Sequence, residues 1–132
     1  AVAGLDPDVT FCFAGVPALA DHGGVLAGRQ SGWPQILKTA KRAGYPAKIE
    51  ACDFVYAVFF ASRIKRAECL LSVGFFDFVC APDSVYAAYN AIPSPHKKIL
   101  HDVQSDHTMP LSTHLAGQKA GTEHIKARNA GK

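Results

Sequence analysis

Cys69-Leu70-Leu71-Ser72-Val73-Gly74-Phe75-Phe76-Asp77 is the stretch on which the fold turns. Its first six residues form a short, mostly apolar run closed by a glycine, the pattern of a buried strand bounded by a turn signal. Phe75 and Phe76 then carry the chain through a turn to Asp77. Pro82 suits a first helical position, Asp83 complements the helix dipole, and Val85, Ala88 and Tyr89 share a face, so a helix is predicted from Pro82 to about Asn90. Two more runs have strand character, residues 9–16 (Val9-Thr10-Phe11-Cys12-Phe13-Ala14-Gly15-Val16) and residues 97–104 (Lys97-Lys98-Ile99-Leu100-His101-Asp102-Val103-Gln104). Strands separated by helical patterns favour parallel pairing, because parallel neighbours need a long crossover connection. The fold class predicted is α/β, with parallel strands and crossover helices.

Between the first two runs the pattern predicts two helices. Pro34 opens one, with Ile36, Leu37 and Ala40 on one face and Gly44 as its end. The other spans residues 47–63, where Ile49, Cys52, Tyr56, Phe59 and Phe60 recur at helical spacing. Ile92-Pro93-Ser94-Pro95 is a turn-rich link to the third strand.

Composition narrows the function classes. With 48% hydrophobic and 19% charged residues over 132 positions, the chain can bury a core and is not of the disordered class. The net charge of +3 comes from scattered basic residues, and the aromatics sit in apolar runs, which argues against a nucleic-acid partner. No stretch approaches the roughly 20 apolar residues of a membrane span. The N-terminus lacks the charged and apolar regions of a signal peptide and an initiating Met, so the natural protein is expected to start further upstream. Cys12, Cys52, Cys69 and Cys80 lack short paired spacings, and free thiols in buried strands fit a reducing, cytoplasmic compartment. His22, His96, His101, His114 and His124 form no metal-ligand pattern and are expected to be solvated or capping.

The candidate chemistry sits where strands end, since open α/β sheets gather ligands beyond the carboxyl ends of their strands. Asp77 follows the second strand, and His107 follows the third through Ser105-Asp106. One helix and one strand separate them, so both are expected at one rim, within hydrogen-bonding reach. A carboxylate beside an imidazole fixes its tautomer and stabilises the imidazolium formed when the base takes a proton from a serine. Asp106, next to His107, either raises its basicity or competes with Asp77 for it.

Residues 71–90, Leu71-Ser72-Val73-Gly74-Phe75-Phe76-Asp77-Phe78-Val79-Cys80-Ala81-Pro82-Asp83-Ser84-Val85-Tyr86-Ala87-Ala88-Tyr89-Asn90, resemble the acid-bearing segment of the acetyl xylan esterase and cephalosporin-C deacetylase family. Two further stretches resemble that family. Residues 3–9 are similar to its segment just downstream of the nucleophile elbow, and Asp53-Phe54-Val55 leading to Ala61-Ser62-Arg63-Ile64-Lys65 is similar to its helix before the acid's strand. The resemblance implies an α/β-hydrolase fold, with Asp77 as triad acid and His107 as triad base.

It also implies hydrolysis of short acyl esters on carbohydrates and related small molecules, with no metal or organic cofactor, in a ring-like homo-oligomer. The family's serine lies in a Gly-x-Ser-x-Gly elbow, a pattern that occurs nowhere in these 132 residues. Residues 1–114 are therefore expected to be the C-terminal portion of such a domain, completed by an elbow-bearing segment from upstream. Residues 115–132 do not resemble the family's closing helix and are expected to be a mobile tail. The alternative is a non-catalytic, truncated piece that self-associates.

Overall fold

A computed structural model describes residues 1–37 and 45–131, with Tyr45 described in its backbone only. In chain order the elements are α1 (Val2–Leu5), β1 (Phe11–Gly15), a 3-10 turn (Gly24–Ala27), α2 (Tyr45–Asp53), α3 (Ala57–Ala61), β2 (Glu68–Gly74), α4 (Pro82–Ala91), β3 (Lys97–Asp102) and α5 (Leu111–Ala130). The three strands pair in parallel in the order β1-β2-β3, with Cys12 opposite Cys69, Leu71 opposite Ile99 and Gly74 opposite Asp102. This is the α/β architecture the strand pattern predicts.

Strand alternation explains the layers. On one face Cys12, Ala14, Cys69, Leu71 and Ile99 pack with Ala61, Ile64, Ala67 and Ile92 in a single apolar core. On the other, Phe11 and Phe13 of β1 lie against α5, where a Cβ added to Gly117 would sit 2.2 Å from the Phe13 ring. Central β2 is buried from Cys69 to Gly74, as a strand covered on both faces must be.

Three expectations change. The helix predicted over residues 47–63 is two short ones, α2 and α3, broken at Phe54-Val55-Tyr56; the extended Tyr56 lets the Ala57 N–H donate to Leu19 O at 2.7 Å, so a tertiary bond outcompetes helix continuation. The helix expected from Pro34 is a series of turns as far as Leu37, and the rest of that expectation lies outside the described residues. The segment expected as a mobile tail belongs to α5: its small residues admit the β1 aromatics, His124 pairs with Glu68 at 2.9 Å, and Arg128 donates to Thr10 Oγ1.

Candidate active site

Gly74 ends β2 because nothing larger fits: a Cβ there would lie 2.4 Å from the Asp106 carbonyl oxygen and 2.8 Å from that of Ser105. The loop after β3 is thereby drawn against the loop after β2. Backbone bonds stitch the two together, Phe75 N–H donating to Asp102 O at 3.2 Å and Phe76 N–H to Ser105 O at 3.0 Å. Each loop carries one candidate residue.

Asp77 has no exposed side-chain surface. Its Oδ1 accepts the N–H groups of Val79 at 2.7 Å and Cys80 at 2.8 Å, an Asx turn that leads into α4. Its Oδ2 lies 2.9 Å from His107 Nδ1. A carboxylate has only acceptors, so the proton between them belongs to Nδ1, which leaves Nε2 as the nitrogen free of Asp77. The His107 side chain is 48% exposed. The two candidates are therefore joined at one rim, at the carboxyl ends of adjacent strands.

Asp106 does not compete for the imidazole. Its Oδ1 accepts Thr108 N–H at 2.8 Å, and that bond, ahead of the nearby imidazole, holds its carboxyl below the usual range.

Beside His107 opens a cavity of about 490 Å³ lined by Gly15, Val16, Trp33, Val79 and Cys80 among others. Val16, directly after β1, holds a φ of 38°, a left-handed conformation disfavoured for a β-branched residue, and its N–H donates to Ser72 Oγ at 3.2 Å. From the other side Gln30 and Gln35 both donate through Nε2 to Phe78 O, strapping the acid turn. Arg29 grips Asp21 through Nη2 at 2.9 Å and approaches Asp83 at 3.6 Å, which ties that strap to the start of α4. The hydrogen bond to Asp21 raises the guanidinium's already high pKa.

The sequence reading passed over two residues here. Cys80 is 2% exposed, and burial, with the Asp77 charge second, pushes its thiol up to about 11. The signal available for it was the three-residue step from Asp77, which an Asx turn folds back. His22, expected to be solvated or capping, is 3% exposed, lies against Tyr56 with ring centroids 5.4 Å apart, and has no partner for either ring nitrogen among the described residues. Desolvation lowers its pKa.

Comparison with known proteins bears on the family and the fold. A sequence model of the acetyl xylan esterase (AXE1) family matches residues 1–117. Acetyl esterase Axe7A of Xylanibacter ruminicola is 34% identical over 106 residues, 80% of this chain and 24% of that protein. Acetyl xylan esterase 1 from a Thermoanaerobacterium species superposes with a TM-score of 0.72 at 28% identity, over 88% of this chain and 38% of its own. An acetyl xylan esterase from a Paenibacillus species gives 0.71 at 24% identity, a likeness of fold, over 95% and 40%. The chain thus spans about a quarter of the curated relative and two fifths of the solved structures.

Proposed function

The chain belongs to the acetyl xylan esterase family, and from that premise we propose that it supplies the acid and base of a serine-dependent hydrolysis of short acyl esters on carbohydrates or related small molecules, the serine coming from outside these 132 residues. The observation that carries this reading is the 2.9 Å bond between Asp77 Oδ2 and His107 Nδ1. In the proposed cycle His107 Nε2 takes the serine proton as the oxygen attacks the acetyl carbonyl, while Asp77 stabilises the resulting imidazolium. As the acyl C–O bond breaks, His107 gives that proton to the departing sugar oxygen, which leaves as a hydroxyl. Water, deprotonated by the same nitrogen, releases acetate from the acyl-enzyme. The cavity beside His107 offers a place for the acyl group and its sugar.

The test joins this chain to an elbow-bearing segment and assays a short-chain aryl acetate. Turnover that His107→Ala and Asp77→Asn abolish supports the reading; turnover unchanged by both overturns it.

A second reading, self-association without catalysis, draws on the aromatic rim of Phe75, Phe76 and Phe78, which are 45%, 58% and 72% exposed. It predicts concentration-dependent sedimentation of the chain alone and no turnover after joining. A ring-like homo-oligomer of the joined protein is the family-based expectation, to be checked by native mass.

A further inference from the structure

The acid–base pair uses two of three groups that the fold brings together. A carboxylate oxygen of Asp77, the sulfur of Cys80 and a ring nitrogen of His107 all lie within 4.8 Å of one another. Asp77 and Cys80 are each 2% exposed, whereas His107 borders the cavity and is reached from solvent. Ester hydrolysis gives the Cys80 thiol no task. Buried oxygen and sulfur donors facing a solvent-reached nitrogen donor are the ligand set of a borderline-soft divalent cation, and three such protein ligands leave a fourth tetrahedral position for water.

We propose that Asp77, Cys80 and His107 bind one divalent cation of the zinc class, and that its binding disables the acid–base pair. The exchange balances without redox change. Cys80 releases its S–H proton to solvent and ligates as thiolate. The imidazole proton passes, through solvent, from Nδ1 to Nε2, which frees the Nδ1 lone pair for the metal. Tetrahedral zinc bonds of about 2.0–2.3 Å set ligand atoms roughly 3.3–3.7 Å apart, so Nδ1 must back away from Asp77 Oδ2, now 2.9 Å from it, to admit the ion, and His107, on an exposed loop, is the one able to move. Asp77 Oδ1 keeps its bonds from the Val79 and Cys80 N–H groups, so the carboxylate stays aimed. With Nε2 protonated, the imidazole has no lone pair with which to accept a serine proton.

The disabling of the pair rests on the hydrolase reading, whereas the site itself does not and its test reads the metal, so the two ideas fail separately. Cobalt(II) titrated into the full chain is expected to saturate at one equivalent with a near-ultraviolet sulfur-to-cobalt band, and zinc is expected to displace it. Cys80→Ser should remove the band, whereas Cys12→Ser, Cys52→Ser and Cys69→Ser keep it. His107→Ala should weaken affinity about tenfold or more while the band survives. If Cys80→Ser fails to fold by circular dichroism, zinc-edge X-ray absorption on the unmodified chain decides, with one sulfur among nitrogen and oxygen neighbours expected. No saturable binding, a band unchanged in folded Cys80→Ser, or a sulfur-free zinc shell overturns the proposal.

Discussion

The loops that follow β2 and β3 carry the two halves of the proposed acid–base pair, yet they are built differently. Asp77 is fully enclosed and accepts two backbone N–H groups besides the imidazole, so its position follows from the local fold. His107 is half exposed, and the Asp77 carboxylate is its one hydrogen-bonding partner among the described residues. On the proposed function, Asp77 is an architectural residue with a chemical duty, whereas His107 is a chemical residue that the architecture holds at a single atom. Substitutions on the two sides should therefore separate chemistry from stability.

The largest effect is kinetic. When the chain is joined to an elbow-bearing segment, His107→Ala and Asp77→Asn are each expected to lower kcat on the order of 10⁴-fold, because the imidazole is lost in one and misoriented in the other. Steady-state assays check this; a loss confined to one variant would break the pairing.

Stability should separate the two sides. Asp77→Ala leaves the N–H groups of Val79 and Cys80 without their acceptor and is expected to cost about 2–4 kcal/mol in urea denaturation. His107→Ala opens a space that water can fill and should cost about 1 kcal/mol or less. Equal losses would show that the base is structural as well.

Gly74 tests how the loops are held together. Gly74→Ala drives a methyl against the Asp106 and Ser105 carbonyls, and the shift of the His107 loop is expected to cost about 10²-fold in kcat, with KM little changed. Full activity would show that the close approach is dispensable.

The smallest effect lies away from the pair. His22 is buried and its pKa is depressed by desolvation, so the unfolded chain binds the proton more readily than the folded one. Its contribution to stability is intact above the unfolded pKa of about 6.5 and is lost as pH falls below it. Denaturation midpoints from pH 7.5 to 5.5 should fall less steeply in His22→Gln than in the parent chain. Parallel slopes would place the acid sensitivity elsewhere.

What the sequence made legible follows from which forces act locally. The three strands and α4 could be read because apolar runs, terminal glycine and Pro82 are local signals, and the predicted bounds fall within two residues of the observed ones, the outer strands being predicted longer than they are. The break between α2 and α3 could not, because it is set by a bond from Ala57 to distant Leu19. Helix α5 escaped notice for a related reason: it meets Phe11 and Phe13 through Gly117 and Gly121, and small residues leave little apolar periodicity. Asp77 and His107 were singled out from strand-end position together with family likeness, and the structure brings their side chains to 2.9 Å. Cys80 and His22 were missed because burial depends on what the turn and the strap bring over them.

The nitrogen spectrum of the His107 imidazole tests the central claim most directly, since it needs no serine. In its neutral form the ring of the parent chain should be protonated at Nδ1 with Nε2 bare, and Asp77→Asn should shift that population toward Nε2–H. An Nε2-protonated ring in the parent, or a spectrum indifferent to Asp77→Asn, would contradict the pairing across the two loops.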